Sequence, residues 1–176
     1  MRFPTHLLTI SLLFLLLNAC HFQEKKTVKP QQEVKVTRVA TGNTLEISGL
    51  REQINLLTQV RLIGTDAAPR RQTPFGYRAQ QRLQELIDDK PVMLEFDVQR
   101  EDKYDRTLAY VWQNDVLLNE QLIKEGHALF VARSPNHKYD LRLERAQHFA
   151  RIMGKGIWNP EKPMRFTPAE YRRRFR

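Results

Sequence analysis

Arg61 and Asp66 stand five residues apart in Val60-Arg61-Leu62-Ile63-Gly64-Thr65-Asp66-Ala67-Ala68-Pro69, and a second charged cluster follows at Asp102-Lys103-Tyr104-Asp105-Arg106. A guanidinium is a permanently charged planar fork that matches phosphate oxygens. Carboxylates suit a hard divalent cation. Together these types suit chemistry on a phosphoester. The same stretch also sets a limit, because residues 67–84 contain neither Asp nor Glu. Any mechanism that needs a carboxylate just after Asp66 has to do without one.

The elements that must position these side chains are short. Val34 to Val39 alternates as a half-buried strand does, and Thr44 to Ile47 continues it after a turn at Thr41-Gly42. Gln59 to Ile63 reads as a third strand, Val92 to Val98 as a fourth and Leu108 to Trp112 as a fifth. Pro74 opens a helix running to Asp88-Asp89, with Tyr77, Leu83, Leu86 and Ile87 along one side. Leu118 to Lys124 fits a short helix stopped by Gly126, and Tyr139 to Met153 a longer one with Leu143, Ala146, Phe149 and Ala150 as its core side. This is a small α+β domain, and periodicity alone fits several topologies. Trp112 and Trp158 fall on core-like patterns. His127, His137 and His148 have neither metal-ligand spacing nor a neighbouring nucleophile, and suit surface or packing roles.

The ends of the chain speak to compartment. Residues 1–19 read as a signal peptide, with Arg2 and His6 before an apolar run from Leu7 to Leu17. That run is too short for a helix to span the ~30 Å hydrocarbon core. Leu17-Asn18-Ala19-Cys20 resembles a bacterial lipobox, which implies lipidation of Cys20 and export to the periplasmic or cell-surface side of a bacterial membrane. The other reading is an ordinary signal peptide followed by a free thiol. Cys20 is the single cysteine, so no intrachain disulfide can form. Residues 20–33 then serve as a polar tether, and residues 160–176 form a basic tail. In that tail Thr167-Pro168-Ala169-Glu170 has the pattern of a helix capping box ahead of Tyr171-Arg172-Arg173-Arg174-Phe175-Arg176. The tail suits either a nucleic-acid or phosphate contact, or a solvated or membrane-facing basic end. The chain carries a net charge of +9. Loss of the leader removes only Arg2, leaving 28 Lys and Arg against 20 Asp and Glu. Such a bias favours polyanionic partners.

Five motifs occur in order: Thr41-Gly42-Asn43-Thr44, Val60 to Ala67, Asp102 to Tyr110, Leu118-Asn119-Glu120-Gln121-Leu122 and Gly156-Ile157-Trp158. Together they resemble the thermonuclease (staphylococcal nuclease-like) family over residues 34–159. The resemblance implies an OB-type five-stranded β-barrel with three helices and calcium-dependent hydrolysis of DNA and RNA phosphodiesters. It implies that Arg61 and Arg106 stabilise charge on the phosphoryl oxygens. By the same resemblance Asp66, Asn43 and the backbone carbonyl of Ala67 face the metal, and Lys103 and Tyr104 contact a terminal phosphate. An alternative for each arginine is simple pairing with Asp66 or Asp102; for Lys103 it is a solvated loop position.

The sequence departs from the family pattern on the hydrolytic side. Asn43 stands where the family has Asp, removing one negative charge, so weak calcium binding is expected. Thr41 likewise replaces an acidic residue. Where the family has a glutamate proposed to activate or position water, this chain offers Pro69, or Arg70 if one alanine is inserted. Loss of positioned proton transfer costs about 10²- to 10⁴-fold in rate. Two functions follow: a lipid-anchored nuclease of low or altered activity, or a non-catalytic module that holds DNA, RNA or another polyanion near a membrane. No protein partner is inferred.

Overall fold

A computed structural model describes residues 31–48 and 57–175. The expected signal peptide, Cys20 and the tether up to residue 30 lie outside the described residues. The chain runs β1 (Gln31–Thr41), β2 (Thr44–Ser48), β3 (Thr58–Leu62), β4 (Thr65–Ala67), α1 (Phe75–Ile87), β5 (Val92–Glu95), β6 (Thr107–Gln113) and β7 (Val116–Leu117). It continues through α2 (Leu118–Lys124), β8 (Ala128–Phe130), α3 (Asp140–Ile152), a 3₁₀ turn (Gly156–Trp158) and α4 (Pro168–Arg174). β1 starts at Gln31, where Gln31 to Val34 pair with Glu95 to Val92. The last residues of the expected tether, 31–33, are therefore strand.

Neighbouring strands run in the order β3-β2-β1-β5-β6-β7, and β3 also pairs with β6 in parallel. That extra pairing closes five strands into a barrel, as the OB-type resemblance implies. β1 serves two neighbours by bending. Its first part pairs with β5 and the rest with β2, with irregularities between Val36 and Arg38 and between Val39 and Thr41. The inward residues switch parity across the first of these, from Val34 and half-buried Val36 to Val39. An extra residue in one strand produces that switch, because side chains alternate with period two.

The helices close the core. Ala79, Leu83 and Ile87 of α1 are fully buried, and so are Leu122 of α2 and Leu143 of α3. Tyr77 and Phe149, placed on the core sides by periodicity, are instead 60% and 42% exposed. Lys124 rests its ammonium over the Phe149 ring, 5.5 Å from the centroid. Three helices are packed as expected, and a fourth, α4, forms in the tail. Its capping box is present: Thr167 Oγ1 accepts from the Glu170 N–H (3.2 Å) and Glu170 Oε2 accepts from the Thr167 N–H (2.7 Å). β4, β7 and β8 are two or three residues long, too short to show alternation in sequence.

Two positions fix the barrel end that carries the charged residues. Gly42 sits in the β1–β2 turn, where an added Cβ would lie 2.4 Å from Ala79 Cβ and 3.0 Å from Ala67 Cβ. The turn can approach α1 and β4 only without a side chain. Asn119, at the start of α2, is fully buried. Its Oδ1 accepts from the Val111 N–H (2.9 Å) and its Nδ2 donates to the Ile63 carbonyl (2.8 Å), joining α2 to β6 and to the turn after β3. Asn119→Ala would leave both backbone groups buried without that partner, at about 1–3 kcal/mol each. Thermal denaturation should show a loss on the order of 10 °C in melting temperature.

Candidate phosphate-binding site

Arg61 lies between Val60 and Leu62, both buried, so strand alternation turns its side chain away from the barrel core. Gly64 takes a left-handed φ of +71° after β3, and Thr65 Oγ1 donates to the Leu62 carbonyl at 2.9 Å, turning the chain at once into β4. The turn brings Asp66 back beside Arg61. Arg61 Nη2 donates to the Thr65 carbonyl at 3.0 Å and lies 3.4 Å from Asp66 Oδ1. β4 pairs with β8, and the Val131 N–H donates to the Gly64 carbonyl at 3.0 Å. This pairing delivers Arg133, two residues farther on, to the same place.

The second cluster is organised by Asp102. Its Oδ1 accepts from the N–H groups of Tyr104 (2.9 Å) and Arg106 (3.2 Å). Its Oδ2 accepts from Arg106 Nε (2.9 Å) and Nη2 (2.6 Å). Arg106 also lies over the Tyr104 ring at 5.3 Å, with Lys103 over the same ring at 5.1 Å. The ion-pairing alternative is therefore realised for Arg106, which is pre-oriented by Asp102 and by the ring. The loop is held to the opposite wall by buried Asn136, whose Oδ1 and Nδ2 bond the N–H and carbonyl of Gln99 at 2.8 and 2.9 Å.

Between these parts lies a cavity of about 250 Å³ lined by Arg61, Asp102, Lys103, Tyr104, Arg133 and Asn136, among others. Burial pushes the Arg61 guanidinium down to about 10; Asp66 opposes that shift, and the positive charges of Arg106, Arg133 and Arg172 add to it. Arg61 still carries its charge at neutral pH. Four guanidiniums thus share one small region. Sequence reasoning found Arg61 and Arg106 and read the arginine-rich tail as a candidate phosphate contact, but it did not find Arg133 or single out Arg172 within the tail. Nothing local marks Arg133. The capping box marked a helix around Arg172 without saying where the helix docks.

The expected metal side is built differently. Arg172 of α4 donates through Nη2 to both oxygens of Asp66, each at 2.7 Å, and its Nη1 lies 3.5 Å from the Ala67 carbonyl oxygen. Asn43 Oδ1 accepts from Thr41 Oγ1 (3.1 Å), and its Nδ2 donates to the Thr65 carbonyl (3.1 Å). Among the described residues no group of three His, Cys, Asp or Glu side chains is placed to hold a metal ion. One carboxylate, already bridged by a guanidinium, does not suit a calcium ion, which prefers several hard oxygen donors. Pro69 and Arg71 line a groove of about 530 Å³ beside α4, so the residues after Asp66 form a wall without an acid.

A family model described as Staphylococcal nuclease homologue matches residues 59–160. The chain belongs to that family. It is 37% identical over 134 residues to a thermonuclease of Staphylococcus hyicus, covering 73% of this chain and 77% of that protein. It is 34% identical over 142 residues to a thermonuclease of Staphylococcus intermedius, covering 78% and 82%. An uncharacterized endonuclease of Haemophilus influenzae is 29% identical over 167 residues, covering 95% and 84%. Family membership agrees with the closed barrel.

The Asp102 anchor is pH-dependent in a defined sense. Burial raises its carboxyl pKa, but the Arg106 hydrogen bonds and the N–H groups of Tyr104 and Arg106 outweigh burial and hold it below its ordinary value. A depressed carboxyl pKa contributes stability above the unfolded value of about 4, and that contribution is lost as pH falls through the folded value. Asp102→Asn should therefore lower stability at pH 7 by about 1–2 kcal/mol, given a largely buried charge-assisted pair. In urea titrations the gap from the unsubstituted protein should close below about pH 4.

Proposed function

We propose that this nuclease-family protein holds single-stranded DNA or RNA by its phosphodiester backbone, and that its hydrolytic activity is strongly reduced. The observation that carries this reading is the convergence of Arg61, Arg106, Arg133 and Arg172 on a site whose carboxylate, Asp66, is bridged by one of them. Such a site attracts a polyanion. In-line hydrolysis also needs a group that orients or deprotonates water, and Asn43, Pro69 and Arg70 cannot accept that proton.

Residues along a second surface extend the same chemistry. Tyr104 lines both the 250 Å³ cavity and the 530 Å³ groove, and the latter adds Arg71, Arg173, Tyr171 and Phe175. Cations interleaved with exposed rings suit a single strand, whose phosphates follow the charges while its bases stack. Tyr104 is 65% exposed and already carries Lys103 and Arg106 over its ring, so a stacked base would share that ring with the two cations.

Fluorescence anisotropy with a labelled single strand tests this reading. Binding should weaken with a log–log salt slope of about −2 to −3, as three or four neutralised phosphates require. Arg133→Ala and Arg106→Ala should each weaken it several-fold. Binding that ignores salt and both substitutions would remove the proposal. Residual cleavage is the second reading, favoured by the identity to thermonucleases. A gel assay with calcium or manganese should then show cleavage that Arg106→Ala abolishes.

We also propose that the protein is exported and anchored through lipid on Cys20, a reading supported by the Leu17-Asn18-Ala19-Cys20 motif. Labelled fatty acid should appear in the full-length protein and be absent from Cys20→Ser. A membrane-free, unlabelled unsubstituted protein would reject the anchor.

A further inference from the structure

We infer that Arg172 is a tethered cation that occupies the position expected for calcium at Asp66 and Ala67 and keeps a divalent ion out of it. The inference concerns the same site as the proposed function and takes the expected metal position from the family resemblance. It can fail separately, because its test contains no nucleic acid.

Three observations carry it. First, Arg172 makes both Asp66 oxygens its acceptors at 2.7 Å and points Nη1 toward the Ala67 carbonyl at 3.5 Å. These are two of the three donors that the resemblance assigns to the metal. The third, Asn43, is neutral and spends its amide on Thr41 and Thr65. A cation at this point would find its one charged ligand already engaged.

Second, the helix that brings Arg172 is docked, not hanging. Pro168 is buried, and Tyr171, Arg172 and Phe175 follow it at the three-, four- and seven-residue spacings of one helix face. Tyr171 donates its hydroxyl to the Arg71 carbonyl at 2.9 Å, and Gln72 Nε2 donates to the Phe166 carbonyl at 2.6 Å. Phe175 packs against both Tyr171 and Phe166, with ring centroids 4.6 and 6.4 Å away. α4 is thereby pinned to the segment that follows Asp66.

Third, charge and tethering both act against a free divalent ion. Arg61 lies 3.4 Å from Asp66, and Arg106 and Arg133 act on Arg61 from nearby, so the positive charge of an added ion meets repulsion. Arg172 competes at the effective concentration of an intramolecular group, on the order of millimolar or higher. A site with one carboxylate sits at the weak end of calcium affinities, also about millimolar. A calcium ion must therefore displace a guanidinium that the docked helix already holds on both carboxylate oxygens. The consequence is a phosphate site whose positive charge needs no external metal.

Calcium titrations of the full chain, followed by thermal shift and calorimetry at constant ionic strength, test the inference. The proteins compared are the unsubstituted chain, Asn43→Asp, Arg172→Gln, and Asn43→Asp with Arg172→Gln. The unsubstituted chain and Asn43→Asp should show no specific calcium stabilisation at low millimolar concentrations. The double variant should bind calcium at least about tenfold more tightly than Asn43→Asp, through removal of the competitor. Tyr171→Phe in the Asn43→Asp background loosens α4 without touching Asp66 and should give an intermediate gain, which covers poor folding of the Arg172 variant. Equal calcium affinity with and without Arg172, or absence of binding in every folded variant, would overturn the inference.

Discussion

The parallel pairing of β3 with β6 is the constraint on which the site depends. It joins Val60 to Thr107 and Arg61 to Leu108, closing the barrel and setting the loop that carries Arg106 beside the strand that carries Arg61. Parallel neighbours cannot be joined by a tight hairpin, so α1 and β5 lie between them in sequence. The Ile63 N–H donates to the Ala109 carbonyl at 2.9 Å, extending the junction past β3, while the Leu108 N–H donates to the Arg100 carbonyl at 2.7 Å and holds the charged loop to β6. Without this closure the two arginines would belong to separate edges of an open sheet.

Concentrating guanidiniums at one barrel end raises an electrostatic cost, and the fold offsets it with carboxylates at specific points. Asp102 takes Arg106, while Asp66 takes Arg172 at close range and Arg61 at longer range. Asp66 is almost buried, with its side chain 9% exposed, so its two partners act in a medium that screens little. A carboxylate so placed keeps the arginines together in the absence of any polyanion. Arg133 and Lys103 stand at the wall of the cavity, where a strand bound as proposed would supply further negative charge. Asn43 and Pro69 bring no negative charge to this end of the barrel, and Arg172 occupies the carboxylate that is there.

Much of the architecture was legible because it is local. Alternation marked the five barrel strands to within a few residues, while Pro74 marked the start of α1, Gly126 the end of α2 and apolar spacing the run of α3. The Thr167–Glu170 capping box marked α4 in the same way. The errors have physical causes. Tyr77 and Phe149 lie at helical spacing with core residues, yet the apolar stripe is narrower than the spacing suggests, and both rings reach solvent. β4 and β8 are too short to carry a pattern, although their pairing is what turns Arg133 toward the site.

The sequence by itself determined the chemical inventory: arginines at 61 and 106, Asp66 between strand and loop, and no acid from 67 to 84. No folding of that loop can create a carboxylate from residues it lacks. Tertiary structure alone decided which charges meet. Arg172 and Asp66 are 106 residues apart, and a run of tail arginines carries no local signal for which of them reaches the carboxylate. That choice was made by a buried proline, a tyrosine hydroxyl on the Arg71 carbonyl and the packing of Phe175. Long-range docking of one helix face thus joined a basic tail to the Arg61–Asp66 cluster.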